Sequence, residues 1–181
     1  MTHHVHHAGC GCMAALSRRS LFGLGAAASA VAMAPRLAFA QKPSVVYEAM
    51  LMNCIDPRFT TFTWAYMETQ GGQNLYSQFT IAGGPIAAFA PVFENWRKAW
   101  WDNLELSVNL HHVKRVVGVC HRDCSAAAVA YGDEIKKNPV FETAKLTEAL
   151  RAFRDEVKSR QPKLDVQLGI QALSGAVEPV A

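Results

Sequence analysis

Beyond residue 40 the sequence has no surplus of either charge. Arg18, Arg19 and Arg36 carry the entire net charge of +3, and the residues after the fortieth hold 15 basic and 15 acidic side chains. The first forty residues contain no acid at all. With no excess of cation and no block of like charge, the composition argues against a nucleic-acid partner and against an electrostatic hold on a membrane surface. Long hydrophobic runs are missing too. The most apolar stretch, Leu21 to Ala34, has 14 residues, short of the ~20 that carry a helix across a bilayer, so no stable membrane insertion of the mature chain is expected. Cysteine is sparse: after residue 40 only Cys54, Cys120 and Cys124 occur. Three is an awkward number for a disulfide framework, but natural if two thiolates hold a metal and the third is a small buried side chain. No internal repeat or low-complexity linker is present, and 181 residues suffice for one domain with a substantial core.

The opening forty residues read as a leader. A polar start leads to Ser17-Arg18-Arg19-Ser20, then the Ala/Gly-rich run, then Ala38-Phe39-Ala40, the layout of a secretory signal with a small-residue cleavage site. Paired arginines ahead of a mildly hydrophobic run resemble the bacterial twin-arginine export signal. "HHVHH" and "CGC" near the start could chelate a metal, but read more simply as the variable beginning of a discarded peptide. The expected division is residues 1–40 as signal and 41–181 as the mature domain. The export machinery is the precursor's partner, and the destination is periplasmic or secreted.

Along the mature chain, strands and helices alternate. "YEAMLMNC" (47–54) suits a buried strand. Residues 59–70 read as a helix closed by Gly71-Gly72, and "SQFTIAG" (77–83) as a second strand. Pro91 fits an early helix position. Phe93, Trp96, Trp100, Leu104 and Val108 then recur at helical spacing as one apolar face. "VKRVVGVC" (113–120) is a third strand, "SAAAVAYGDEIKK" (125–137) a helix and "ETAKLTEALRAFRDEVKSR" (142–160) a long amphipathic one. "KLDVQLGIQALSGAVEPV" (163–180) is a terminal strand or a hairpin around Ser174-Gly175. The alternation predicts an α/β fold, a mostly parallel sheet flanked by helices. In such sheets functional groups collect at the carboxyl ends of strands. Cys54 closes the first strand, and His121 and Cys124 follow the third.

His121 and Cys124 stand three residues apart where a strand turns into a helix, so both can face one ion. With Cys54 they make two thiolates and one imidazole, leaving one of the four tetrahedral positions of Zn2+ for water or substrate. A strand end sends side chains i, i+2 and i+4 to one side. Asp56 then sits beside the open position, and Arg58 can hold it through a bidentate pair that keeps it ionised and aimed. Without Arg58, the Asp56 carboxylate could swing onto the metal. Cys120 reads as core. His111 and His112 suit the negative end of a helix, with a proton-shuttle role as the sharper alternative. Trp96, Trp100 and Trp101 read as core or subunit contact before substrate groove. Asp123 is either a partner of the site or a plain turn carboxylate.

At "CIDPR" (54–58) and "HRDC" (121–124) the sequence resembles the β-class carbonic anhydrases, whose pattern is C-x-D-x-R followed much later by H-x-x-C. The resemblance extends over "QFTIAGG" (78–84), "LELSVNLHHVKRVVGVCH" (104–121) and "IQALSGAV" (170–177). It implies a zinc lyase with Cys54, His121 and Cys124 as ligands and Asp56–Arg58 as the catalytic dyad. The implied reaction is reversible hydration of carbon dioxide to bicarbonate by zinc-bound hydroxide, in a homodimer or higher even oligomer. Two further readings use the same residues: hydrolysis of carbonyl sulfide or carbon disulfide, and a non-catalytic zinc-binding protein. The chain departs from the family pattern at Gly83-Gly84, at Cys120 and at Ser125.

Overall fold

The apolar run after residue 47 becomes strand β1, Ala49–Asn53, and all five of its residues are buried. They belong to a computed structural model that describes residues 46–181; the leader and its twin-arginine motif lie outside the described residues. A strand with no exposed face belongs inside a parallel sheet covered on both sides. Strand β2, Tyr76–Thr80, lies on one side of β1 and strand β3, Arg115–His121, on the other, both parallel to it. Strand β4, Asp165–Gln171, runs parallel to β3, and a short β5, Val177–Pro179, returns antiparallel at the edge. The order is β2-β1-β3-β4-β5, so the expected α/β architecture stands.

The two faces of the sheet follow from the period of two in its strands. Ala49 and Leu51 of β1, with Val117 and Val119 of β3, pack under Met67 of helix α1, Thr60–Thr69. Met50, Met52, Val116 and Cys120 face the larger core on the other side. That core is closed by helix α2, Arg97–His111, through Trp100 and Leu104, and by helix α5, Pro139–Arg160, through Leu146, Leu150, Phe153 and Val157. Each such side chain, fully buried, contributes about 1.5–3 kcal/mol.

Three boundaries differ from the sequence reading for local reasons. The helix expected over 125–137 is two, α3 (Ser125–Tyr131) and α4 (Glu134–Lys137), parted by Gly132 at φ +88°. The long helix expected from Pro91 begins as a 3-10 segment, Pro91–Trp96, kinked at Phe93 before α2 starts. Helix α5 starts at Pro139, three residues earlier than the amphipathic pattern suggested. There Asn138 caps it, its side chain accepting from the N–H groups of Val140 and Phe141 at 3.1 Å each. Among the described residues no helix is long and apolar enough to cross a membrane.

The chain leaves β1 to form β2 on one side, then crosses back to form β3 on the other. Neighbouring connections therefore diverge at the carboxyl ends of β1 and β3, the switch point where α/β sheets open a crevice. Both candidate segments sit there.

Candidate metal centre

Cys54 is the first residue past β1. Its place is fixed by the turn after β2, where Gly83 and Gly84 both take positive φ. Gly84 lies so close to the end of β1 that a Cβ on it would meet the Asn53 carbonyl carbon at 2.9 Å and the Cys54 nitrogen at 3.1 Å. The Gly83 N–H donates to Cys54 Sγ at 3.3 Å. On the other segment, β3 carries His121 as its last residue, and Arg122 N–H continues the ladder by donating to the Gln171 carbonyl. Asp123 then turns the chain in the left-handed region, φ +56°, which Asp tolerates better than most residues. Cys124 follows in extended conformation as the N-cap of α3.

The result brings together the three residues expected as metal ligands. The donor atoms of Cys54, His121 and Cys124 all lie within 4.8 Å of one another, and all three residues are buried. The two Sγ atoms are 4.0 Å apart and share a hydrogen bond. The bond from the Cys124 thiol, aided by the His121 ring and the Gly83 N–H, outweighs burial and draws Cys54 down to about 4. The same bond, with burial, pushes Cys124 well above the ordinary thiol range. The pair thus holds one proton between two sulfurs. Cys54 is the sulfur favoured as the ionised partner, because it accepts from the Cys124 thiol and the Gly83 and Asp56 N–H groups add to that bond.

His121 Nδ1 is 2.8 Å from the Arg122 carbonyl oxygen. A carbonyl only accepts, so Nδ1 carries the proton and a neutral ring keeps its lone pair on Nε2. That Nε2 is buried without a protein hydrogen-bond partner. Burial favours the uncharged ring, but the Cys54 sulfur and the Arg122 carbonyl overcome it and raise His121 above its ordinary 6.5. The Phe59 ring, 4.2 Å centre to centre, flanks the imidazole. An orphaned imidazole nitrogen converging on two sulfurs that share a proton is a donor set that suits zinc, a borderline-soft cation that favours sulfur and nitrogen.

Asp56 and Arg58 form the bidentate pair expected of them. Arg58 Nε and Nη2 donate to Asp56 at 3.1 and 2.7 Å, and the Arg58 N–H adds a bond at 3.0 Å. Those bonds hold Asp56 below its ordinary 3.8. Asp56 Oδ2 stands 4.0 Å from His121 Nε2, beyond hydrogen-bond reach but beside the donor cluster. The outer edge of the guanidinium meets Asp123: Nη1 to its Oδ2 at 2.9 Å and Nη2 to its carbonyl at 3.1 Å. Asp123 is therefore a partner of the site. Donors and carboxylate open into a cavity of about 270 Å³, walled otherwise by Ser125 and by apolar groups such as Ile55, Ala82 and Ala126.

Other expectations sort plainly. Cys120 is buried in the larger core, and burial pushes its thiol upward. His111 and His112 end α2 beside the start of β3, at the opposite end of the sheet from the donors; His111 stacks on Tyr47. Trp100 is core, Trp101 packs under Arg160 at 4.3 Å, and Trp96 is exposed. Two participants were not foreseen. Phe59 gave no signal beyond an apolar position. Glu142 reads in sequence as a charged residue of an amphipathic helix, yet it is buried, accepting from the Asp123 N–H at 2.8 Å and from Arg122 Nη1 at 3.3 Å.

Comparison with known proteins bears on this arrangement. A family model described as "Putative carbonic anhydrase" matches residues 47–166. An uncharacterized protein of Rickettsia conorii is 28% identical over 131 residues, 72% of this chain and 70% of its own length. Another from Rickettsia bellii is 26% identical over 131 residues, 72% of this chain and 80% of its own. Among solved structures, the b-carbonic anhydrase CafA of Aspergillus fumigatus aligns at a TM-score of 0.47 with 17% identity, covering 92% of this chain and 89% of that one. A Coccomyxa beta-carbonic anhydrase in complex with acetazolamide aligns at 0.47 with 14% identity, covering 92% and 86%.

Proposed function

The chain belongs to the family of that "Putative carbonic anhydrase" model, which spans more than half of it, and from that premise we propose that it is a zinc lyase interconverting carbon dioxide and bicarbonate. One observation carries the reading: two cysteine sulfurs and an orphaned imidazole nitrogen converge within 4.8 Å, beside a carboxylate already locked by an arginine.

Cys54, His121 and Cys124 would hold the ion. Zinc so bound supplies Lewis acidity that makes water a nucleophile near neutral pH. The residues of the chain do the rest. Asp56 meets the water as an acceptor. Arg58 keeps its carboxylate ionised across the working pH range and fixes its orientation, so Asp56 would be aimed to accept a hydrogen from a water at the open position. A carboxylate held below its ordinary value stores a proton poorly. Asp56 therefore orients the water and passes the proton on to solvent. The apolar walls around Ile55, Ala82 and Ala126 suit a small linear molecule without charge and give no grip on the bicarbonate product, which favours its release.

Metal analysis of the purified protein and a stopped-flow assay of carbon dioxide hydration, with Asp56→Asn alongside, test this. Stoichiometric zinc with turnover that the variant loses supports the proposal. Hydrogen sulfide released from carbonyl sulfide or carbon disulfide without hydration, or tightly bound zinc that is inert, replaces it with one of the other two readings.

Export and assembly belong to the same proposal. The twin-arginine layout around Arg18 and Arg19 supports a leader ending near Ala40 and a periplasmic or secreted mature chain. N-terminal sequencing of protein recovered from the culture fractions tests that. The resemblance supports a homodimer or higher even oligomer, tested by light scattering in solution.

A further inference from the structure

We propose that Glu142 is a positioning residue of the site: through the turn at Asp123 it sets the orientation of Arg58 and, through Arg58, of the Asp56 carboxylate. The inference rests on the reading of Asp56 and Arg58 given above and adds to it the group that controls them from outside the cavity.

The chain of contacts is continuous. Glu142 lies in the first turn of α5, buried, with both carboxylate oxygens engaged on one segment of chain. Oε1 accepts the Asp123 backbone N–H at 2.8 Å, and Oε2 faces Arg122 Nη1 at 3.3 Å. Arg122 itself spans from α5 to β5, donating to Thr143 Oγ1 at 2.6 Å and to Glu178 at 3.4 Å. The peptide so pinned is the one whose φ is +56°, a conformation that Asp tolerates better than most residues but that still costs backbone energy, which the surrounding contacts offset. From that turn Asp123 offers Arg58 two acceptors, its carboxylate and its carbonyl, at 2.9 and 3.1 Å. The remaining edge of Arg58 clamps Asp56.

Arg58 needs this external hold. Its side chain is 48% exposed, and a long, half-exposed arginine paired with one carboxylate loses much of the pairing to its own freedom. Two carboxylates on opposite edges remove that freedom, but only if the second is itself immobile. Asp123 gains its immobility from Glu142, which sits on the longest helix of the domain and is buried against the core. Every acid of the relay faces a cation: Asp56 and Asp123 share Arg58, and Glu142 and Glu178 share Arg122.

Glu142→Ala removes both contacts, Glu142→Asp withdraws the carboxylate by one methylene, and Glu142→Gln keeps a carbonyl that can still accept the Asp123 N–H. The primary readout is hydrogen exchange of the Arg58 Nε–H in 15N-arginine-labelled protein, which reports the Asp56 clamp without reference to turnover. Exchange should accelerate about tenfold in Glu142→Ala and Glu142→Asp, the factor that one lost hydrogen bond of ordinary strength gives. In Glu142→Gln it should stay within about twofold. In parallel, kcat for hydration should fall in the same order with KM little changed, as expected when orientation rather than binding is lost. Unaltered Arg58 exchange in a folded Glu142→Asp or Glu142→Ala protein overturns the inference, and so does equal loss in Glu142→Gln. Should Glu142→Ala fail to fold, Glu142→Asp and Glu142→Gln decide the question between them. A wild-type protein inactive toward carbon dioxide would defeat the proposed function, while the exchange measurement would still judge the relay.

Discussion

Cys54 and Cys124, 70 residues apart in the chain, bring their sulfurs to 4.0 Å. A disulfide needs about 2.05 Å between sulfurs, so the two sulfurs stand only about 2 Å beyond bonding distance. We expect metal-depleted protein treated with oxidised glutathione to form the Cys54–Cys124 bond. Two thiols lose two protons and two electrons, and the reagent is reduced. Zinc-loaded protein should resist. Peptide mapping by mass spectrometry under non-reducing conditions reads the outcome; a bond to Cys120 in place of Cys124 would contradict it.

Asp56→Asn keeps the size and one oxygen of the side chain but removes its charge and the grip on Arg58. Carbon dioxide hydration should drop by about 100-fold or more, the range attributed to a single positioned acid–base group. Bound zinc should stay at the wild-type level, because none of the three donors is touched. Elemental analysis beside stopped-flow kinetics separates these effects.

Acid should erase the contribution of the same pair to folding. Arg58 lowers Asp56 in the folded protein from its ordinary 3.8. The unfolded chain therefore takes up the proton first as pH falls. The stabilisation is complete above about 3.8 and fades below it, through the lower folded value. Urea midpoints of wild type and Asp56→Asn should differ by a constant amount near neutral pH and converge in strong acid. A gap that widens on acidification would reverse the assignment.

Gly84→Ala tests how the turn after β2 supports Cys54. The added methyl would press on the Asn53 and Cys54 backbone at about 3 Å, and the residue sits at φ +54°. The left-handed conformation costs roughly 1–2 kcal/mol and overpacking typically 1–3 kcal/mol more. Thermal unfolding should show a loss of that order, and zinc affinity by competition with a chelator should fall with it. Gly71→Ala, at φ +70° with open space around the added carbon, serves as the control that feels the first cost without the second.

Much of this was legible in the residues themselves. β1 and β3 announce themselves by the apolar runs at their centres, because a strand buried on both faces has little room for polar side chains except at its ends. Cys54, Asp56, Arg58, His121 and Cys124 were legible together because each segment follows a strand end, and strand ends in a parallel sheet share one edge. Glu142 was not. Its neighbours in sequence mark an amphipathic helix, and nothing in a period of 3.6 tells a buried carboxylate facing a turn from one facing water. Phe59 was hidden for a similar reason: an aromatic at the start of a helix reads as core whether it packs on valine or on imidazole. Gly132 is plain in the sequence, but a single glycine does not always end a helix; here its positive φ cuts the expected helix into α3 and α4.

The crossing from β2 back over to β3 has a consequence for the order of events in the life of the molecule. Sixty-six residues lie between Cys54 and His121, and no short fragment contains all three donors. Only when β3 has docked against β1 do all three donors meet; an ion held there would tie both strand ends together. By loop-closure entropy a tie across that span is worth about 4 kcal/mol, so loading would come last and make the finished domain hard to undo.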